Sequence, residues 1–298
     1  MKKARLIINP SSGEEKALDY QVQAKEKLSR YFDEVDIQQT EKAGDAEEFA
    51  KEAASDHYHS VFVMGGDGTV NEVINGLAEQ EHRPYFGFFP MGTVNDLARA
   101  LNVPLNVEKA IDSFDFERTS KLDLGKINGR FFSNVVAIGA IPEGIKDVDP
   151  EEKTKLGKLA YFVSGFKQLS ENQAFSFSVT ADGNQLEIKS STILIGLTNS
   201  IGGFEQLLPE AQIDDGRLHL IYLKDSRFIE TVKTVPTLLK GVDRSTKNVG
   251  YQTAKTITVD LLEDTHLSTN VDGDEGDSLP VEVSVLPGHL TVYTGDPS

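Results

Sequence analysis

Cysteine is absent from the 298 residues. Disulfides and thiolate metal sites are thereby excluded, and a reducing cytosol is the natural compartment. Long apolar runs are absent too. The best stretch, Val135 to Ile141, falls far short of the ~18 residues that a membrane-spanning helix needs. The N-terminal MKKARLIINPSSG carries basic residues, but its apolar run is too short for a secretory signal. Basic charge is scarce: 30 Lys and Arg stand against 47 Asp and Glu, a formal net charge of −17. A phosphate backbone would be repelled by that balance, so nucleic acid is not an expected partner. Permanent adsorption on an anionic membrane is disfavoured as well, because each well-placed Lys or Arg adds only ~1 kcal/mol there. The six His residues form no metal motif, since His57 and His59 are two apart and the others are scattered. No Ser-His-Asp arrangement can be picked out, such triads being defined by geometry. Internal repeats and low-complexity segments are missing.

What is present fits a folded protein of two domains. Hydrophobic residues make up 39% and charged residues 26%, within the range of globular chains. Up to about residue 125, strand and helix signals alternate. Ala4–Ile8, Val35–Gln38, Val61–Met64 and Phe86–Phe89 read as strands. A helix with Ala17, Tyr20, Ala24, Leu28 and Tyr31 on one face follows the first. Asp45 and Glu48 have the spacing of a capping box for the next. Repeated strand–helix units predict a mostly parallel sheet with helices on both faces.

The later chain reads differently. Leu122–Ile127, Asn128-Gly129 and Arg130–Val136 predict a hairpin with a tight turn. Phe175–Thr180, Ile188–Thr198, Leu218–Leu223, Thr256–Leu262, Val281–Leu286 and Leu290–Tyr293 predict further strands. Helical segments at about 154–170 and 226–241 interrupt them. The expected fold is thus an α/β domain over 1–125 and an antiparallel β-sandwich over 126–286.

Chemistry is concentrated at strand ends. Gly65-Gly66-Asp67-Gly68-Thr69 follows a predicted strand and opens a predicted helix. Glycines there let the backbone approach a phosphate, and free N–H groups at the helix start favour an anion. A plain Gly-rich turn is the alternative. The run lacks the Gly-Lys-Ser/Thr ending of a Walker A loop and the spacing of the dinucleotide fingerprint. Pro90-Met91-Gly92-Thr93-Val94-Asn95-Asp96-Leu97-Ala98 sits in a similar place. Thr93 could bond a phosphate and Asp96 lies in the first helical turn, although an ordinary N-cap has the same composition. Asn9-Pro10-Ser11-Ser12-Gly13 and Thr40 are weaker signals of the same kind. Asn270 to Asp277 holds Asp272-Gly273-Asp274-Glu275, which by itself reads as a solvated acidic turn and lacks the full calcium-loop pattern.

Taken together these motifs resemble the diacylglycerol kinase catalytic domain, in particular that of soluble bacterial lipid kinases related to sphingosine kinases. Gly-Gly-Asp-Gly-Thr is shared with phosphofructokinases and NAD kinases. Val70-Asn71-Glu72, the Gly92 to Ala98 run, Asn9 to Gly13 and Asp214-Asp215-Gly216-Arg217-Leu218 resemble the lipid kinases, in the right order along the whole chain. The resemblance implies an ATP- and magnesium-dependent kinase with its active site in a cleft between an α/β nucleotide domain and a β-sandwich. The chain end, from about 287 to 298, would return to the first domain. By the same resemblance Asn9, Pro10, Ser11, Ser12, Gly13, Thr40, Gly65, Gly66, Asp67, Gly68, Thr69, Val70, Asn71, Glu72 and Thr93 contact ATP. Asp67 and Asp96 organise nucleotide, metal and water. Gln212, Asp215 and Arg217 form a structural Mg2+ site, Gln212 and Arg217 acting through backbone carbonyls. The general base is expected at Asp274, where the family usually has Glu in Asp-Gly-Glu.

Diacylglycerol is the leading acceptor that the resemblance implies. A phospholipid, a sphingoid base or a polyprenol is the alternative, and a catalytically silent sensor is the reading that Asp274 favours. In this acidic chain the segment Thr154 to Ser170 contains no acidic residue, and its Lys155, Lys158 and Lys167 accompany an apolar stripe. Transient docking of this segment on a membrane surface is expected, with packing on the sandwich as the alternative. The protein is therefore expected to be cytoplasmic and peripherally membrane-associated. A homodimer is left open by the sequence.

Overall fold

The computed structural model describes residues 1–139, 174–203, 205, 207–224, 241, 242, 244–246 and 249–295. The helical segments expected at about 154–170 and 226–241 lie outside the described residues, Gly241 excepted. The chain divides into two compact units. One comprises Met1–Asn134, Gln212–Gly216 and Leu286–Ser298, the other Val135–Ala211 and Arg217–Val285.

The first unit is a parallel α/β layer structure. Its strands are β1 (Lys3–Ile8), β2 (Glu34–Gln39), β3 (Ser60–Gly65), β4 (Tyr85–Pro90), the hairpin β5 (Thr119–Ile127) and β6 (Arg130–Phe132), and the end of a long strand, β16 (Val281–Tyr293). The sheet order is β2-β1-β3-β4-β16, parallel at each junction. Helical segments follow the strands: α1 (Ser12–Glu15), a 3-10 turn at Ala17–Tyr20, α2 (Gln21–Ser29), α3 (Asp45–Ser55), α4 (Asp67–Ala78), α5 (Asp96–Ala100) and α6 (Val107–Ser113). β3 is buried at every position, which explains its unbroken apolar run between two helix layers. Phe62 stacks on Tyr293 at 5.3 Å between ring centroids, with Phe32, Phe114 and Phe116 around them. The Tyr293 hydroxyl meets Ser60 Oγ at 2.8 Å, and burial pushes its pKa up to about 12.

The second unit is antiparallel throughout its described strands. One sheet continues from the start of β16 through β13 (Thr256–Leu261), β8 (Phe175–Ala181) and β9 (Asn184–Ser190). The other has the order β12-β11-β10-β7-β14-β15, with β7 at Val135–Gly139, β10 at Thr192–Gly196, β11 at Leu218–Leu223, β12 at Val249–Ala254, β14 at Ser268–Val271 and β15 at Asp274–Ser278. Tight turns appear where predicted: Asn128-Gly129 and Asp182-Gly183 both have positive φ, as two-residue hairpin turns require.

Several expectations are corrected. The first long helix is broken, because Gly13, Glu14 and Glu15 have left-handed φ and a 3-10 turn precedes α2. The capping box does not form. Gly44, with φ 90°, takes the N-cap position, and the Asp45 carboxylate accepts from the backbone N–H groups of Glu41 and Lys42 instead. The predicted strand Arg130–Val136 is two strands, β6 and β7. Ile188–Thr198 also divides. The Ser190 hydroxyl, fully buried, donates to Thr192 O and accepts from Thr192 N, taking the place of ladder partners and turning the chain from β9 into β10. Conversely, the two strands expected before and after residue 287 are one, β16.

Candidate phosphate and acceptor site

A parallel sheet puts the carboxyl ends of its strands on one edge, and four predicted motifs lie there. Asn9 follows β1, Thr40 follows β2, Gly66 and Asp67 follow β3, and Met91 to Asp96 follow β4. Backbone bonds tie these ends together: Asn9 N donates to Met64 O at 3.0 Å, Thr40 N to Ile8 O at 2.9 Å and Met91 N to Gly65 O at 2.9 Å. Side chains add to this. Asn9 Nδ2 donates to Thr69 Oγ1 at 2.9 Å, while Asn9 Oδ1 accepts from the Ser11 backbone and hydroxyl. The Asn-Pro-Ser-Ser-Gly and Gly-Gly-Asp-Gly-Thr turns are thus one hydrogen-bonded structure.

Asp67 opens α4 after Gly66, which has extended φ/ψ at the N-cap. The first turn of α4 therefore points its free N–H groups beyond the sheet edge. Asn95, at φ 52°, holds the facing loop. Its side chain accepts from Gly92 N at 2.9 Å and donates to Gly92 O at 2.7 Å, and its own N–H donates to Asp67 Oδ2 at 3.0 Å. The Gly residues are used for close approach. A Cβ on Gly92 would lie 2.7 Å from Asn95 Oδ1 and 3.0 Å from Asp67 Oδ2, whereas a Cβ on Gly68 would meet nothing within 4 Å. Gly68 is exposed and borders open space. Burial raises the Asp67 pKa, the backbone N–H of Asn95 opposes that shift, and the charge of Asp96 adds to it. Asp96, Asn71 and Thr69 are buried beside it, Val70 and Glu72 continue α4, and Thr93 lies in the loop between β4 and α5.

Gln212 and Asp215 belong to the first unit, and Gln212 N donates to Asp215 Oδ2 at 3.1 Å. Arg217 begins the next stretch of the second unit, where its Nη1 lies 3.5 Å from Thr253 Oγ1. Asp274 is exposed on β15 of the second unit, opposite Val271 across the turn formed by Asp272 and Gly273. The Asp272 carboxylate is itself engaged by Val135 N at 2.8 Å.

One acidic residue escaped the sequence reading. Asp123 is 2% exposed, and its carboxylate accepts from Gly216 N and Gly288 N, both at 2.6 Å, while Asp123 N donates to Ile213 O. It joins β5, the 212–216 segment and β16 in the first unit. Burial raises its pKa, the N–H groups of Gly288 and Gly216 oppose this, and the charges of Asp215 and Asp214 add to it. The signal in the sequence was a lone charge between Leu122 and Leu124, both fully buried.

The donors suit a hard cation. Asp67, Asp96 and Asp215 offer oxygen only, and among the described residues no three His, Cys, Asp or Glu side chains converge as ligands. A cation that takes one or two carboxylates and completes its shell with water and phosphate oxygens, as magnesium does, fits such a set.

A parallel α/β unit with a Gly-Gly-Asp-Gly-Thr turn at a strand end, continued by an antiparallel β region, fits the nucleotide-dependent kinases that share this turn, and similarity to known proteins narrows the class to the lipid kinases. The chain belongs to the diacylglycerol kinase family: residues 3–127 match the diacylglycerol kinase catalytic domain. Residues 137–294 match the YegS C-terminal NAD kinase beta sandwich-like domain. A Streptococcus pneumoniae serotype 4 relative is 40% identical over 294 residues, covering 99% of this chain and 98% of that one. A diacylglycerol kinase of Staphylococcus aureus, strain bovine RF122 / ET3-1, is 37% identical over 292 residues, 98% of this chain and 92% of the relative. The crystal structure of a diacylglycerol kinase from Bacillus anthracis has a TM-score of 0.80 at 26% identity, with 99% and 97% of the two chains covered. The NAD kinase alternative, left open by the first loop alone, gives way to this full-length similarity.

Proposed function

We propose that the chain transfers the γ-phosphoryl group of ATP to the hydroxyl of a membrane lipid, with diacylglycerol as the acceptor and phosphatidic acid as the product. The observation that carries this reading is the joined edge of the parallel sheet. There the bonds of Asn9 to Thr69 and of Asn95 to Asp67 tie the loops after β1 and β4 to the first turn of α4, where Gly68 borders open space. Backbone N–H groups of these turns and the start of α4 bind the phosphates. Phosphoryl transfer depends chiefly on positioning and on neutralising charge. Magnesium, when bound, neutralises phosphate charge. Asp67 and Asp96 hold its water shell, and Gln212, Asp215 and Arg217 hold a second, structural ion through carbonyl and carboxylate oxygens.

Asp274 accepts the proton of the lipid hydroxyl as the oxygen attacks the γ-phosphorus and the bond to ADP breaks. The shorter Asp, where the family usually has Glu, is the feature that favours the silent-sensor reading. The name of the Staphylococcus aureus relative supports diacylglycerol as acceptor. Lys155, Lys158 and Lys167 of the Thr154 to Ser170 segment dock transiently on anionic lipid and bring the enzyme to its substrate. Formation of a homodimer would double these contacts.

Transfer of labelled γ-phosphate from ATP to diacylglycerol in mixed micelles with magnesium tests the reading, beside an Asp67→Ala variant. Phosphatidic acid from the wild type alone is the expected result. ATP binding without a labelled product would reject diacylglycerol, and a screen of lipid extracts would then separate another acceptor from a silent sensor.

A further inference from the structure

Hairpin β5–β6 leaves an unusual edge. Lys126 faces Phe131 one pair inside the closing pair Ile127 and Arg130. In an antiparallel pair, hydrogen-bonded and non-hydrogen-bonded positions alternate, so the N–H and C=O of Phe131 point away from β5. Among the described residues no further strand pairs with β6 in the sheet. The side chain of Asn75 takes that place. Its Nδ2 donates to Phe131 O at 3.0 Å, and its Oδ1 accepts from Phe131 N at 2.9 Å. The same Nδ2 reaches Asn71 O at 2.9 Å and Asn71 Oδ1 at 3.1 Å. One primary amide thus stands in for a neighbouring peptide group, which neither a carboxylate nor an apolar side chain can do.

The two elements joined in this way carry the candidate chemistry. Asn75 is on α4, about two turns beyond Asp67. β5 carries Asp123, which holds Gly216 and Gly288. The far end of α4 is tied as well, by His289 Nε2 at 2.5 Å from Ala78 O and by the ion pair of Glu79 with Lys126. A helix held at its end can still turn about its axis or slide, and the two bonds at Asn75 resist both motions.

We infer that Asn75 is a positioning residue of this kinase, setting α4, and with it Asp67 and the Gly-rich turn, against the hairpin that carries Asp123. The inference rests on the reading of Asp67 as part of the ATP-phosphate site. A purely structural tie would change stability and leave turnover per folded molecule intact. A displaced turn changes kcat, since small misplacements of a reacting group cost between about tenfold and a hundredfold in rate.

The test is steady-state transfer from ATP to diacylglycerol in mixed micelles for Asn75→Ala, Asn75→Asp, Asp67→Ala and Tyr293→Phe, with thermal unfolding of each. Asn75→Asp keeps the shape and the acceptor for Phe131 N but sets an oxygen against Phe131 O, so it remains informative where the Ala variant fails to fold. Tyr293→Phe removes the bond to Ser60 at the start of β3 and reports the effect of lost stability alone. Expected are a kcat lowered by about tenfold or more in the Asn75 variants, with an unchanged lipid KM, and an unchanged kcat in Tyr293→Phe. Asn75 variants that lose stability but keep full kcat per folded molecule overturn the inference, as does a rise in lipid KM alone. Retained activity in Asp67→Ala would overturn the ATP-site reading itself, and the inference with it.

Discussion

Burial raises the pKa of the Asp67 carboxyl, and the neighbouring charge of Asp96 adds to this, although Asn95 N–H opposes it. A carboxyl whose folded pKa lies above its unfolded value binds more protons in the folded state. Stability then falls as pH rises through the interval between the two values, and the penalty is fully present above the folded pKa. Asp67→Asn removes the charge and keeps an acceptor for Asn95 N–H. It is expected to raise the midpoint of thermal unfolding at pH 7 while abolishing phosphoryl transfer, and the stability gain shrinks as pH falls below the folded pKa. Thermal scans of both proteins across pH check this, and an Asp67→Asn protein no more stable than wild type at pH 7 would contradict it. Such a penalty at a carboxylate proposed to serve the reaction would be the familiar opposition of stability and activity.

At the level of elements, α4 is where fold and site meet, and Gly68 separates the two. It lies inside the helix without positive φ, and a Cβ added there meets nothing within 4 Å. Gly68→Ala is therefore expected to leave stability unchanged or to raise it by up to ~1 kcal/mol. The methyl group would stand in the space assigned to phosphate, so ATP affinity should fall by about tenfold or more, one 1.4 kcal/mol step or beyond. Calorimetric titration with ATP beside thermal unfolding separates these effects, and unchanged ATP affinity would place the phosphates elsewhere. Strands were legible because β3 and β4 are apolar runs buried between helices, and the turns because Asn-Gly and Asp-Gly tolerate their positive φ. Asp45 was misread because Asp also serves backbone groups that precede a helix. Asp123 showed only as a lone charge between two buried leucines, with nothing to say what it holds, and Asn75 was not legible at all. Their partners lie 93, 165 and 56 residues away in the chain, and a backbone group as partner leaves no trace in side-chain pattern.

For the whole molecule, the net charge of −17 opposes the approach to an anionic bilayer that the proposed reaction requires. The two electrostatic contributions differ in range. The body of the protein repels from a distance, whereas the proposed contact through Lys155, Lys158 and Lys167 would attract at short range by ~1 kcal/mol per lysine. Screening lengths of ~30 Å at 0.01 M, ~8 Å at 0.15 M and ~3 Å at 1 M salt discriminate between them. At the lowest salt the whole charge is felt and binding is weak. Near physiological salt the distant repulsion is screened first, and binding reaches its maximum. At the highest salt the contact attraction fails too. Flotation with vesicles containing anionic lipid should accordingly pass through a maximum, and reversal of the three lysines to Glu should abolish it. A steady fall with salt would mean that attraction dominates at every range, and equal flotation of the reversed variant would move the contact away from Thr154 to Ser170.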